Sequence, residues 1–138
     1  MASIEDVILG IENALQEIDG LRTHAHIPDT IDPPAAAVTF EECDFDSTLS
    51  RGSDDLVFLV HIFTSAADAK SGQRKLYDYI DGSGGKSVKA AIDADSTLGG
   101  IAMYAVVERA EDFGKVTVAD IPFYGVKFTV RVCVAGMG

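Results

Sequence analysis

Cysteine is scarce in this 138-residue chain: Cys43 and Cys133 lie far apart and form no Cys-x-x-Cys pair. That spacing indicates neither a disulfide framework nor a zinc ribbon, and makes a reducing, cytoplasmic setting the default. Cations are scarce as well, 11 Lys and Arg against 22 Asp and Glu, for a formal charge of −11 and a pI of about 4.4. A surface of that sign repels phosphate backbones and anionic membranes, which argues against a groove that grips duplex nucleic acid by charge. No apolar run is long enough to span a bilayer, and Met1 to Asp6 lacks a basic flank. The expectation is a soluble protein without a signal peptide. Proline is rare too, and three of the four sit together at Pro28, Pro33 and Pro34.

What is present suffices for a core. Hydrophobic residues make up 47% of the chain and charged ones 24%, and a chain of this length removes roughly 70% of its unfolded surface from water. One domain over 1–138 is expected. Ser3 reads as an N-cap with Asp6 three residues on, and Ile4, Val7, Ile8, Ile11, Leu15 and Ile18 recur at helical spacing up to Gly20. Leu21 to Ile27 alternates weakly, and the proline-rich stretch from Pro28 to Pro34 reads as a rigid exposed loop. A short strand over Ala35 to Phe40 precedes a long loop or loose hairpin over Glu41 to Ser53. Asp54 to Thr64 is too apolar for a strand with one wet face and predicts a central strand.

Helical spacing returns over Ala66 to Ile80, closed by Asp81 to Gly85, and a short helix spans Ser87 to Ala94. After the Asp95 to Gly100 loop come three strand-like runs, Ala102 to Ala110, Val116 to Asp120 and Ile121 to Val134. The last alternates Tyr124, Val126, Phe128, Val130 and Val132 with Lys127, Thr129 and Arg131, one face buried and one wet. Together these argue an α+β fold, a mostly antiparallel sheet flanked by an N-terminal helix and a central helical pair.

The chemical motifs are weak. Gly82-Ser83-Gly84-Gly85-Lys86-Ser87 ends like a phosphate-binding loop, but Ile80 stands where the first glycine is required and a helix precedes it, so a capped linker is the better reading. His24 and His26 would share a strand face, yet no third ligand is near, and His61 lies in an apolar strand. The acids of Glu41 to Asp46 and of Asp93 to Ser96 lack the spacing of a calcium loop and read as a solvated face. No Gly-x-Ser-x-Gly occurs, and neither cysteine has a histidine at a nucleophile spacing. The expectation is a protein that is not an enzyme, has no cofactor or metal, and presents its loops to partners.

The order of several segments resembles the tail terminator proteins of long-tailed bacteriophages, those of actinobacteria above all. The segments are Ile18 to Leu21 at the end of the first helix, Pro28 to Ala36, Phe45 to Asp54, Leu76 to Ile80, Ser87 to Ile92 with Asp95 to Gly100, and Tyr124 to Val130. The resemblance implies a structural virion subunit of the tail-neck region, assembled in the host cytoplasm. It would form a hexameric ring, cap the finished tail tube and present the surface that joins the head. Implied partners are further copies of itself, the tail tube protein and a head–tail connector protein, with DNA passing through the lumen unbound. Six copies at −11 each carry −66, and an acidic lumen would let DNA slide. Asp29, Asp32, Asp44 and Asp46 are the first guesses for lumen or rim acids. Arg51, Phe113, Phe123 and Tyr124 are the guesses for subunit or tube contacts. Alternatives are a neck or head-completion protein, a tail tube protein, or an acidic non-viral binding protein.

Overall fold

A computed structural model describes residues 3–26, 28–44, 53–66 and 69–135. The first helix, α1 (Ile4–Leu15), starts where the sequence predicts. The Ser3 hydroxyl accepts from the Asp6 amide at 3.1 Å while the Asp6 carboxylate accepts from the Ser3 amide at 3.1 Å, a reciprocal cap of two orphan donors. Val7, Ile11, Ala14 and Leu15 form its buried stripe. The helix ends a turn before the predicted Ile18, which is nonetheless buried.

Among the described residues five strands follow, β1 (Arg22–His24), β2 (Ala35–Asp44), β3 (Ser53–Ser65), β4 (Tyr104–Val118) and β5 (Ile121–Ala135). They form one sheet in the order β1-β2-β3-β5-β4, antiparallel except for the β1–β2 pair. Between β3 and β4 lie α2 (Ala69–Ile80) and α3 (Val88–Ala94). The glycine-rich stretch between them is a helix-to-helix linker, and Ser87 caps α3 by accepting from the Ala90 amide at 3.0 Å and donating to the Asp81 carbonyl. The fold is therefore α+β, as expected.

Two boundaries differ from the sequence reading. The acidic stretch after Phe40 does not leave the sheet at once: β2 passes a bulge between Phe40 and Glu42 and continues to Asp44, opposite Asp55. The ladder offered by β3 satisfies its backbone where side-chain propensity would not. The predicted strands at Ala102 to Ala110 and Val116 to Asp120 are a single strand, β4. The apparent break is two bulges, at Val107/Arg109 and Glu111/Gly114, with Asp112 at φ 57° and Gly114 at φ 153°. The Ala119-Asp120 turn to β5 has positive φ at both residues, as a two-residue type I′ hairpin requires.

Helices α1, α2 and α3 lie on one face of the sheet. Val7 and Ile11 of α1, Leu76 and Tyr79 of α2, and Val88 and Ile92 of α3 share one core with Phe58, Val60 and Val130. A smaller cluster on the opposite face joins Ile31 of the proline-rich loop to Ala35, Ala37, Phe63 and Phe123, with Val116 and Val118 against it. The sequence predicts a central strand covered on both sides. Instead β3 is central in order, and on its outer face Val57 and Phe63 are buried while Asp55, Leu59 and His61 are only half-buried.

Candidate interaction surface

Residue parity along the strands builds the outer face. The register puts Asp55, Val57, Leu59 and His61 of β3 beside Cys133, Arg131, Thr129 and Lys127 of β5. Tyr104 and Val106 of β4 stand beyond Cys133 and Arg131. Its centre is a three-strand ion bridge. The Arg131 guanidinium reaches Asp55 on one neighbour at 3.5 Å and Glu108 on the other at 3.3 Å. The Glu108 hydrogen bond, then its charge, holds the Arg131 pKa above the usual value. All three groups keep contact with solvent, so the bridge fixes geometry more than it adds stability.

Around this bridge the face carries both polar and apolar groups. The Thr129 hydroxyl donates to Glu111 at 3.4 Å, and Lys127 pairs with Asp112 at 3.6 Å. Val106 is 42% exposed and Tyr104 44%, with Met103 exposed just before them. The neighbouring Cys133, more than burial or Asp55, raises the Tyr104 hydroxyl above its ordinary range. Large apolar side chains left in water along one edge are what an interface is made from.

His61 sits half-buried near the covered end of the face, its Nε2 3.0 Å from the Thr39 hydroxyl. A cavity of about 150 Å³ lies beside it, lined by Phe63, Lys115, Val116, Gly125 and Lys127. Burial, and secondarily the Lys127 charge, pushes the His61 pKa below the usual 6.5. Folding thus favours the neutral ring, and the folded chain binds fewer protons than the unfolded chain just below pH 6.5. The resulting stability is complete above pH 6.5 and is lost as pH falls through and below that value. His61→Gln should therefore remove part of the acid sensitivity: the gap in urea midpoint between wild type and variant shifts against the wild type from pH 7.5 to pH 5. Parallel pH profiles would contradict it.

The predicted site residues scatter. Phe113 is 41% exposed and stacks on Tyr77 of α2, ring centroids 5.5 Å apart and 6° from parallel. Phe123 and Tyr124 are both buried within the chain. Phe123 faces Phe63 in the smaller cluster and Tyr124 lies in the main core. Asp32 pairs with Arg22 at 3.2 Å, and Asp29 is exposed on the same loop. Asp44, also exposed, ends the strand that Ala35 begins, about 30 Å away at 3.3 Å per residue. Arg51 and Asp46 lie outside the described residues.

Among the described residues no three His, Cys, Asp or Glu side chains converge as a metal site, and no helix is long and apolar enough to cross a membrane. The Cys43 thiol is pushed up by burial and then by Asp54 and Asp44, which disfavours the reactive thiolate. Sequence reasoning missed the outer-face ion bridge, since strand order alone puts Asp55 and Glu108 on either side of Arg131. Compared with protein-family models and with curated proteins, the chain has no match.

Proposed function

We propose that this chain is a structural virion subunit that closes into a hexameric ring, caps the tail tube of a long-tailed bacteriophage, and offers the surface to which the head is joined. The observation that carries the reading is the one-sided sheet: helices cover one face, and the other leaves Tyr104 and Val106 exposed around the Arg131 bridge. A subunit with a partly uncovered sheet face has apolar surface to bury against neighbours. The ordered segments that resemble tail terminators supply the kind of assembly, and the acidic composition suits a lumen through which DNA slides without adhering. One end of the ring would meet the tail tube protein and the other the head–tail connector protein.

The test is solution mass by light scattering across a concentration series, with negative-stain images of the chain alone and with its cognate tube protein. Closed rings, or a monomer that forms rings only on tube ends and halts their growth, are expected. Long tubes built by this chain alone would reassign it as a tube subunit. A persistent monomer indifferent to tubes would overturn the reading and favour an acidic binding protein.

A further inference from the structure

The cations of this acidic chain are unevenly placed. Of eleven Lys and Arg, three fall within six residues of α2, at Lys70, Arg74 and Lys75, and all three are exposed. Lys70, Arg74 and Tyr77 follow one row of the helix at i, i+4 and i+7. Among the described residues Arg74 and Lys75 have no ion-pair partner. Tyr77 is 54% exposed and, through its stack on Phe113, extends this surface onto the β4–β5 hairpin. Arginine, tyrosine and phenylalanine presented together are the side chains that interface cores favour.

The opposite charge is gathered elsewhere. Past the β2 bulge, Glu41, Glu42 and Asp44 are exposed, and none is ion-paired among the described residues. Phe40, 42% exposed, stands beside them. This acidic stretch lies against Asp55 to Val57 of β3, whereas α2 is anchored at the other end of that strand, where the Thr64 hydroxyl donates to the Gly72 carbonyl at 2.9 Å. The nine residue steps from Asp55 to Thr64 separate the two anchor points by about 30 Å of strand.

We propose that the basic, aromatic face of α2 docks onto the acidic end of β2 in a second copy of this chain. The proposal rests on the ring reading and names its contact surfaces. Copies with a charge of −11 repel one another at distance, so association needs a local surface of the opposite sign to steer encounter and fix register. A two-fold dimer through either patch sets like charges face to face. Joining α2 of one copy to β2 of the next pairs unlike charges, and two different patches at opposite ends make a head-to-tail contact that closes into a ring when the rotation permits. A nucleic acid could use the same three cations, but it would have to approach against the charge of the whole subunit.

The experiment swaps charge across the contact. Arg74→Glu with Lys75→Glu, and separately Glu41→Lys with Glu42→Lys, are exposed changes, and circular dichroism with a thermal melt verifies that each variant is folded. Light scattering and sedimentation at low and high salt then follow assembly, with tube ends present if the wild type needs them. Each variant alone should raise the concentration for half-assembly by about tenfold or more, an equimolar mixture of the two variants should show partial recovery, and combining all four changes in one chain should restore assembly to within about threefold of wild type. Rings that form unchanged in both variants would overturn the docking assignment and leave the ring reading standing. A wild type that never associates, with or without tubes, would overturn both. Binding of a labelled DNA duplex that Arg74→Glu with Lys75→Glu abolishes, while assembly is untouched, would reassign the α2 face to nucleic acid.

Discussion

Phe58→Ala should lower the free energy of unfolding by about 3–5 kcal/mol, a large part of the 5–15 kcal/mol typical of a domain this size. Phe58 has no solvent exposure and stands near the middle of β3, opposite Phe40 on one neighbour and Val130 on the other. Cutting the ring to a methyl group loses its transfer free energy and leaves a void that the surrounding strands cannot close. The Phe40 ring, 5.7 Å away and edge-on, is a neighbour with room to move, because the residue is already 42% exposed. Phe40→Ala is the internal control. It removes a ring of the same size from the same contact but should cost far less, since much of that ring is never buried. Urea unfolding of both variants reads the difference directly: a fall in midpoint without a change in slope reports stability alone. Equal losses in the two variants would mean that the edge-on pair, rather than burial at Phe58, sets the cost.

The helices were legible because each carries its own signal. The Ser3 and Ser87 caps, the stripe from Val7 to Leu15 and the glycine stop after Ile80 are local, and the structure reproduces them to within a turn. The strands were legible wherever one face alternates, as in β5 from Tyr124 to Val132. Sequence reasoning failed where a partner strand overrides local preference. Glu41 to Asp44 and the Glu111 to Gly114 bulge have loop composition, yet both remain in ladders supplied by β3 and β5. Phe123 illustrates a second limit. Its side chain falls on the outer face, which parity along β5 already implied, but that this end of the face is covered depends on Ile31 in a loop some ninety residues earlier. The basic row of α2 was readable in the helical spacing of Lys70, Arg74 and Tyr77, though sequence reasoning passed over it. Its pairing with Phe113 was not, because that depends on how the hairpin bends at its bulges.

Gly72→Ala should destabilise the fold by about 1–3 kcal/mol, although the same change in an open helix interior gains up to about 1 kcal/mol. The two effects compete at one atom. A methyl group raises helix propensity by reducing the freedom of the unfolded chain, but at Gly72 a Cβ would lie 2.5 Å from the Ser65 carbonyl oxygen and 3.0 Å from Tyr124 Cδ2. The carbonyl is backbone at the end of β3, and Tyr124 is buried in the core, so neither can turn aside as an exposed side chain would. Repulsion wins, and relief comes only by lifting α2 from the sheet, against the Thr64 hydrogen bond to the Gly72 carbonyl and the burial of Leu76 and Tyr79. Gly10 in α1 gives the comparison. A Cβ there meets Leu98 Cβ at 3.0 Å and, at 3.4 Å, both the Leu98 carbonyl oxygen and the end of the Ile101 side chain; with no contact as short as 2.5 Å its steric cost is smaller, and the propensity gain offsets more of it. The expected order of thermal midpoints is wild type near Gly10→Ala, with Gly72→Ala well below; the reverse order would show that α2 tolerates displacement. The same displacement would move Arg74 and Tyr77 relative to Phe113. Gly72→Ala should therefore weaken assembly beyond its loss of stability, whereas Gly10→Ala, on a helix without the basic row, should assemble as the wild type does.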